Sequence, residues 1–372
     1  MKIAPFALER YFAKYEFSAQ YMLSSSDCEA LSMSELLALA NVETTRLWEQ
    51  LKLGYTETPG HPLLRETIAA IYAGIDAENI LVMAPEEGIF LLMHALLEPG
   101  DHVVCTFPAY QSLHEVARSI GCRVSTWEPD EERDWRFDIE LLGEKMQANT
   151  KLIAINFPHN PTGHVPPQED FKAIVDLVRQ RGVYLLSDEM YRFLEIDQSS
   201  TLPAACELYD RAFSLFGLSK TFGLPGLRIG WMASQDRDAL KHMSLLKDYT
   251  TICNSAPSEI LTIIALRNRA VIIEQQLARV HRNLAVLDVF FDEYDDCFHW
   301  NRPKGGSICF PRMLAVENTL DFCEKLVEET GIMLVPSSTF QYGDHHVRIG
   351  FGRQNLPDVI KRFAEYLDQQ FR

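Results

Sequence analysis

The amino-acid sequence predicts an α/β protein with a mostly parallel sheet that is covered by helices on both faces. Short apolar runs alternate with helical patterns between about residues 79 and 234, and this alternation requires crossover connections between parallel strands. The strand-like runs are residues 80–82, 103–106, 124–127, 152–156, 183–187, 212–216 and 229–233. The helical patterns between them include residues 89–97, 112–120 and 168–181.

The pattern changes after Pro257. One long helix is predicted over residues 258–291, where charged residues recur along one face. A glycine-containing turn at residues 303–307 leads into the short apolar run 308–310, and a final helix is predicted over residues 357–371. The sequence contains no internal repeat or low-complexity linker between these elements.

Composition limits the classes of function. The chain has 372 residues, which is long enough for two subdomains with large cores. Its formal net charge is −17, and because nucleic acid and anionic membranes repel such a charge, we expect neither as a partner. No apolar run is long enough to span a bilayer, and the N-terminus lacks a signal-peptide core.

The cysteines and histidines favour a cytoplasmic protein without a metal site. The eight cysteines form no C-x-x-C pair. Cys105 and Cys122 lie in or beside apolar strands, as buried reduced thiols do. The histidines form no recognisable ligand set, and His345-His346 is interpreted as a solvated turn before a strand.

A lysine and an arginine joined by a glycine-rich turn are the most informative local feature. Lys220 lies eight residues before Arg228, and Ser219 directly precedes Lys220. An amine beside a phosphate anchor is what a pyridoxal phosphate site requires, because the amine bonds to the cofactor's aldehyde and the guanidinium holds its phosphate. Taken alone, the segment fits a solvated surface lysine better than a cofactor site.

Two segments upstream favour the site. Asn160 lies in an Asn-Pro-Thr-Gly turn after the apolar run 152–155, and Asp188 follows the next apolar run, with Tyr191 three residues later. Ligands bind at the carboxyl ends of strands in open α/β sheets. A plain turn and a helix cap are the alternative interpretations of the two segments. The order of these residues along the chain, each at a strand end, favours one shared site.

The chain resembles fold type I pyridoxal-phosphate enzymes of the class I/II aminotransferase superfamily, from about residue 54 to residue 351. The resemblance implies a three-layer large domain at residues 45–257, built on the mostly parallel sheet. It also implies a smaller α+β domain from both chain ends, formed by an N-terminal arm at residues 1–44 and by residues 258–372. The implied cofactor is pyridoxal 5'-phosphate.

The same resemblance implies roles for the residues of the motifs. Lys220 matches the Schiff-base lysine, and Asp188 matches the carboxylate that pairs with the pyridine nitrogen. Asn160 and Tyr191 match the donors to the ring hydroxyl, and Arg228 matches the phosphate-binding arginine. Lys220, Asp188 and Tyr191 are therefore the expected catalytic residues.

Three further positions match the family outside these motifs. Tyr110 matches the aromatic residue that stacks on the cofactor ring. Tyr55 matches a tyrosine that reaches the phosphate in the neighbouring subunit, which implies a homodimer. Arg348 matches the arginine that binds the substrate's α-carboxylate, with Asn160 beside it.

The phosphate-binding segment departs from the family pattern. The family usually begins a helix here with a turn rich in Gly, Ser and Thr, but this chain has two carboxylates, Glu86 and Glu87. Carboxylates suit a helix N-terminus, yet they repel a phosphate unless they point away. We therefore expect the backbone amides of Glu86, Glu87 and Gly88 to bind the phosphate. The two carboxylates also fit a basic substrate.

Two other departures concern single residues. Gly217 stands where the family often has a phosphate-binding Ser or Thr, and Ser219 is expected to compensate. Ser337 stands where the family usually has Gly, which indicates a modified substrate pocket.

The function that this reasoning favours is an aminotransferase that moves an amino group between an amino acid and a 2-oxo acid, using the Lys220 Schiff base. A lyase, a replacement enzyme or a cyclisation enzyme on the same scaffold is the alternative. Residues 24–29 resemble the capreomycidine synthase group, which cyclises an arginine derivative. A ligand-sensing domain of a transcriptional regulator is disfavoured by the acidic charge and by the absence of a helix-turn-helix segment in the sequence.

Overall fold

The structure, a computed structural model, describes residues 2–371. In this part of the chain the helices are α1 Ala7–Tyr15, α2 Met33–Ala38, α3 Val42–Glu49, α4 Pro62–Ala69, α5 Pro85–Leu96, α6 Ser112–Ile120, α7 Ile139–Lys145, α8 Gln168–Arg181, α9 Ala205–Leu208, α10 Arg237–Lys247, α11 Ala256–Arg267, α12 Arg269–Glu293, α13 Thr319–Thr330 and α14 Leu356–Phe371. The strands are β1 Tyr21–Met22, β2 Ile80–Met83, β3 His102–Thr106, β4 Arg123–Trp127, β5 Thr150–Asn156, β6 Tyr184–Asp188, β7 Ala212–Gly217, β8 Gly230–Ser234, β9 Phe298–His299, β10 Ile308–Cys309, β11 Arg312–Met313, β12 Ile332–Met333, β13 Val335–Pro336 and β14 Val347–Gly350.

A seven-stranded sheet forms the centre of the large part of the molecule. Its strand order is β2-β8-β7-β6-β5-β3-β4. The strands from β7 to β4 are parallel, whereas β8 runs antiparallel to both of its neighbours. The mostly parallel α/β fold is therefore confirmed, and each of the seven predicted strands lies within two residues of an observed one.

Helices cover both faces of this sheet because its strands are apolar on both sides. In β5, Leu152 and Ala154 pack with α5, α6 and α10. Ile153 and Ile155 face the other way and pack with α7 and α8. This alternation follows from the two-residue period of a strand. The result is a three-layer arrangement.

A second core is formed from both ends of the chain. Leu8 and Tyr11 of α1 pack in the same apolar cluster as residues of α12, α13 and α14. The short strand β1 pairs in parallel with β12, and Tyr21 lies opposite Ile332. The smaller α+β part therefore depends on contacts between residues that are about 300 positions apart in the sequence.

The prediction of one long helix over residues 258–291 is wrong. The segment forms two helices, α11 and α12, which meet at Asn268. Asn268 has φ −109° and ψ 19°, outside the helical region. Its side-chain amide donates to the backbone oxygens of Ile264 and Leu39. An asparagine that bonds to nearby backbone in this way competes with the helix and ends it.

Two further features are the state of the cysteines and the character of the helices. Within residues 2–371 none of the eight cysteines forms a disulfide, and seven of them are buried. Among residues 2–371, no helix combines the length and the apolar character that crossing a bilayer requires.

The N-terminal segment lies directly against β14, and two glycines make this approach possible. The Gly350 amide donates to the carbonyl of Leu23 (2.8 Å), and the Glu29 amide donates to the carbonyl of Gly352 (2.9 Å). A Cβ at Gly350 would collide with the backbone oxygen of Ser25. Because backbone cannot move aside as a flexible side chain can, this position accepts only glycine.

We therefore expect Gly350→Ala to lower the free energy of unfolding by about 1–3 kcal/mol, as overpacking of a tight contact does. Urea and thermal unfolding midpoints measure the loss. Gly143→Ala is the matched control, because a Cβ there meets only Leu177 at 4.0 Å and alanine is the better residue within a helix. Equal stability of Gly350→Ala and the unmodified protein would contradict the close packing of the N-terminal segment on β14.

Candidate active site

Five strand ends meet at one edge of the seven-stranded sheet. Strand pairing places Asn156 of β5 beside Asp188 of β6, and Gly217 of β7 beside Gly230 of β8. Met83, the last residue of β2, also pairs with Gly230. The carboxyl ends of β2, β5, β6 and β7 and the amino end of β8 therefore lie together, where open α/β sheets bind ligands.

A cavity of about 450 Å³ lies at this edge. It brings together nine of the residues predicted for the site, namely Glu86, Tyr110, Asn160, Asp188, Tyr191, Ser219, Lys220, Arg228 and Arg348. Glu87, Gly88 and Tyr55 were also predicted but do not line the cavity. The roles assigned to the nine residues stay predictions.

Asp188 is a buried carboxylate held in place by its neighbours. Its Oδ1 accepts a hydrogen bond from the Met190 amide (3.1 Å), and its backbone oxygen accepts one from Asn156 Nδ2 (2.9 Å). Burial raises the pKa of Asp188 to about 7, although the Met190 amide and Lys220 act in the opposite direction. A cationic partner at this carboxylate would stabilise its ionised form.

Lys220 extends into the cavity from the loop after β7. Its Nζ donates a hydrogen bond to Ser26 Oγ (2.7 Å). Burial lowers the pKa of Lys220, and Asp27 is the largest of the charges that oppose this effect. The environment therefore favours the neutral amine, which is the nucleophilic form of a lysine.

Arg348 is a buried guanidinium with spare donors. It is 1% exposed. One nitrogen donates to the carbonyl of Ser24 (3.1 Å) and another lies 3.4 Å from Asn160 Oδ1. Nε has no partner among residues 2–371. Burial lowers the pKa of Arg348, and because a buried cation needs compensation, the side chain is suited to bind an anion.

Two tyrosines line the cavity. The hydroxyl of Tyr191 is buried and has no hydrogen-bond partner within the described part of the chain. Burial raises its pKa, so it stays protonated and able to donate. The hydroxyl of Tyr110 donates to Glu9 of α1 (2.9 Å), and its ring lies 4.9 Å from the ring of Phe6. These contacts fix the Tyr110 ring at the wall of the cavity.

The first turn of α5 corrects one prediction. The amide of Gly88 donates to the carbonyl of Ala84 (3.0 Å), so it is already used within the helix and cannot bind a phosphate. The amides of Glu86 and Glu87 belong to the first turn, which has no intrahelical acceptors. Pro85 before them has no N–H. Two free amides thus remain at this helix N-terminus.

The two carboxylates of this turn point in different directions. Glu87 Oε1 accepts hydrogen bonds from the hydroxyls of Thr250 and Thr251, away from the cavity. Glu86 lines the cavity, and its Oε2 accepts a hydrogen bond from Ser112 Oγ (3.2 Å). Burial raises the pKa of Glu86 to about 7. Glu87 therefore points away from the cavity, whereas Glu86 points into it.

The two other departures from the family pattern have structural explanations. A Cβ at Gly217 would lie 2.9 Å from Pro85 Cγ and 3.1 Å from the Cα of Gly230. The space of a serine or threonine side chain is therefore filled by Pro85. Ser219 is buried and lines the cavity. Ser337 donates instead to the carbonyl of Gly343 (2.9 Å) and does not line the cavity.

Arg228 and Tyr55 lie towards solvent. Arg228 follows a short helical turn with φ 50°, lines the cavity, and donates to the carbonyl of Pro225 (3.0 Å). Tyr55 is 91% exposed, and its neighbour Leu53 is 84% exposed. Nothing in its own chain covers the Tyr55 side chain among residues 2–371.

The sequence alone did not identify the N-terminal contribution to the cavity. The cavity is also lined by Ser26, by Glu9 and Phe12 of α1, and by Glu16 at the C-terminus of that helix. The residues 9, 12 and 16 lie on one helical face, which periodicity can identify, but no local signal shows which surface that face covers. Phe12 packs against the apolar cluster of the smaller part, and its ring lies 5.8 Å from the Arg348 guanidinium.

Within residues 2–371, no group of three or more His, Cys, Asp or Glu side chains is arranged to hold a metal ion. The donors that do converge on the cavity are an amine, three guanidinium groups, phenolic hydroxyls and helix amides. Such donors bind anions and carbonyl groups.

Comparison with known proteins agrees with this geometry. The sequence pattern of aminotransferase class I and II matches residues 22–366. Capreomycidine synthase of Streptomyces vinaceus is 30% identical over 369 residues, which cover 98% of this chain and 94% of that protein.

Two solved structures are similar over nearly the whole chain. A PLP-dependent aminotransferase from Streptococcus suis has a TM-score of 0.93 and 31% identity, with 99% of each chain covered. The PLP-dependent cyclase OrfR has a TM-score of 0.91 and 27% identity, with 100% of this chain and 98% of that chain covered.

The packing of Pro85 on Gly217 makes a testable prediction. Gly217→Ser installs the side chain that the family often has, but we expect it to lower the free energy of unfolding by about 1–3 kcal/mol because Pro85 occupies the space. Thermal and urea unfolding measure this change. Gly226→Ser is the control, since a Cβ there meets nothing within 4 Å and should change stability by at most about 0.5 kcal/mol. An unchanged or more stable Gly217→Ser protein would contradict the explanation.

Proposed function

The chain belongs to the aminotransferase class I and II family, and we propose that it is an aminotransferase that moves an amino group between an amino acid and a 2-oxo acid. Its cofactor is pyridoxal phosphate. The observation that carries the proposal is the convergence of Lys220, Asp188 and Arg348 on one cavity. These residues are an amine, a carboxylate and a guanidinium, and each meets a different requirement of the reaction.

The cavity residues fit the cofactor. Asp188 is a buried carboxylate for which burial without a cationic partner is unfavourable, so we assign it to the protonated ring nitrogen. The free hydroxyl of Tyr191 and the amide of Asn160 are assigned to the ring oxygen. The two free amides of α5 and the guanidinium of Arg228 are assigned to the phosphate. When bound, the cofactor accepts the electron pair released at the substrate's α-carbon.

Lys220 is proposed to move the proton. Its Nζ lies in the cavity, and burial favours its neutral form, so it can accept a proton from the substrate's α-carbon and carry it onwards. Ser26 holds the amine through a 2.7 Å hydrogen bond. The N-terminal segment thereby controls the position of the proton-transferring group.

Arg348 is proposed to bind the α-carboxylate of the substrate. Its guanidinium is buried, has an unpaired Nε and forms no ion pair within hydrogen-bond distance among residues 2–371. A bidentate contact with a carboxylate would satisfy these donors and fix the orientation of the substrate. Amines that lack this carboxylate should therefore be poor substrates.

A cyclisation or elimination of a cationic amino acid is the second candidate, and acidic side chains at the mouth of the cavity favour it. Glu9 and Glu16 line this mouth. Burial, Glu9 and Asp27 raise the pKa of Glu16. Arg353 also lines the cavity but already binds Asp27 (2.9 Å). Tyr110 already binds Oε1 of Glu9, so Oε2 of Glu9 and the carboxyl group of Glu16 are left for a cationic substrate group. Capreomycidine synthase is among the similar proteins.

A homodimer in the cytoplasm is also part of the proposal. The exposed Tyr55 would be covered by a second copy of the chain and would reach the phosphate there. The eight cysteines, none of which forms a disulfide among the described residues, support a reducing compartment, which cell fractionation would test.

Titration with amino acids is the experiment that separates the reactions. The purified protein with pyridoxal phosphate should show a visible absorbance band that Lys220→Ala lacks, because the alanine variant has no amine for the cofactor. A donor amino acid should convert the band to the spectrum of the aminated cofactor and release a 2-oxo acid. The panel should include arginine, its neutral analogue citrulline, aspartate, and agmatine, which lacks the α-carboxylate.

The outcomes of this titration are distinct. Ammonia or a cyclised product in place of the 2-oxo acid would support the second candidate. Conversion by agmatine as fast as by arginine would contradict the role of Arg348. A visible band that Lys220→Ala retains would contradict the whole assignment.

Mixing two variants tests the proposed role of Tyr55. Tyr55→Ala and Lys220→Ala should each be weakly active alone, but a mixed dimer contains one site with both side chains intact. Random exchange should therefore restore activity at about a quarter of the sites. Phe17→Ala is the control, because Phe17 is 95% exposed and its variant mixed with Lys220→Ala should show no such gain over dilution. A monomer in sedimentation experiments, or mixing without recovery, would contradict the dimeric site.

A further inference from the structure

Glu86 occupies an unexpected place for an anionic side chain. It lies in the first turn of α5, next to the two free amides that we assign to the cofactor phosphate, and its side chain lines the cavity. Arg228, the other group assigned to the phosphate, lines the same cavity. An ionised Glu86 would repel a phosphate in this position, and the repulsion is strong because the surroundings are poorly solvated.

Burial and two neighbouring carboxylates favour the neutral form of Glu86, and two other groups favour its charged form. Ser112 of α6 donates to its Oε2 (3.2 Å), and this hydrogen bond and the charge of Arg228 both lower the pKa of Glu86. Burial outweighs both, and two further carboxylates oppose ionisation, Asp188 of β6 and Glu9 of α1. The hydroxyl of Tyr110 is also within electrostatic reach and is itself protonated. The balance of these contacts raises the pKa of Glu86 to about 7 before any phosphate is present.

We propose that Glu86 binds the cofactor phosphate as the neutral acid and donates its carboxyl proton to a phosphate oxygen in a hydrogen bond. Ser112 holds one carboxyl oxygen, and the other is free to carry the proton. In the family, the turn of small residues usually supplies a hydroxyl donor to the phosphate, and here the carboxyl group of Glu86 takes its place. Gly217 cannot supply such a donor, because it has no side chain. This inference rests on the cofactor site proposed above.

The direction of the pH dependence follows from this assignment. A dianionic phosphate nearby raises the pKa of Glu86 further. Glu86 therefore keeps its proton in the complex at pH values above about 7, where the free protein loses that proton. The phosphate then binds more weakly as the pH increases. Between the pKa values of the free and bound protein, affinity falls about tenfold for each pH unit.

The test compares pyridoxal phosphate with pyridoxal, which forms the same bond to Lys220 but has no phosphate. Dissociation constants for both are measured from the visible absorbance band between pH 7 and pH 9. We define the phosphate advantage as the dissociation constant of pyridoxal divided by that of pyridoxal phosphate. The titration of Lys220 affects both constants equally, so it cancels in this ratio. For the unmodified protein we expect this advantage to fall by about tenfold or more over the range.

Two variants isolate the carboxyl group. Glu86→Gln keeps a hydrogen-bond donor at all pH values, so its phosphate advantage should stay level and exceed that of the unmodified protein at pH 9. Glu98→Gln removes a carboxylate beyond the C-terminal end of α5, outside the cavity, so its phosphate advantage should fall with pH as the unmodified protein's does.

A level phosphate advantage in the unmodified protein would overturn the inference, and this measurement needs no variant. A parallel fall in Glu86→Gln would overturn it as well, because another group would then be titrating. If neither ligand gives a visible band at any pH, the cofactor site itself is wrong and this inference fails with it.

Discussion

The side-chain amide of Asn156 joins the two strand ends on which the site depends. Its Nδ2 donates to the carbonyl of Asp188, and its Oδ1 accepts the amide of Asn160 at 2.7 Å. One side chain therefore sets the distance between the loop after β5 and the end of β6. Because Asp188 and Asn160 are fixed by the same group, the two cannot shift independently, and Arg348 is positioned through its contact with Asn160. Catalysis requires that the side chains in contact with the reacting groups are held rigidly in this way.

Charge is the second organising principle of the cavity. Most of its ionisable side chains are in surroundings that disfavour their charged forms, as the raised pKa values of Asp188 and Glu86 and the lowered pKa of Lys220 show. Titratable groups with opposed environments are typical of catalytic sites. The binding of a cofactor with a cationic ring and an anionic phosphate would relieve several of these costs together. The cavity and the cofactor are in this sense electrostatically complementary.

The sequence predicted the sheet and its strand ends well because both depend on local patterns. Apolar runs such as residues 152–156 are buried on two faces, and the polar residues that end two of them, Asn156 and Asp188, mark the edge where the cavity lies. The break at Asn268 was missed because it depends on a hydrogen bond to Leu39, which is distant in the sequence. The contribution of Ser26 was missed for the same reason, since no local pattern brings residue 26 to residue 220. The direction of the Glu86 side chain depends on packing with α6 and is not encoded by its own helix.

The packing of the N-terminal segment against Gly350 has a consequence for biosynthesis. During translation, residues 21–29 emerge early, but the strand that receives them is synthesised only near the end of the chain. The seven-stranded sheet can form as its own residues appear, since domains fold as units during synthesis. The cavity, by contrast, cannot close around Lys220 until about residue 352 has left the ribosome. Loading of the cofactor is thereby delayed until the polypeptide is nearly complete, and a prematurely terminated product would expose an apolar arm without a docking surface.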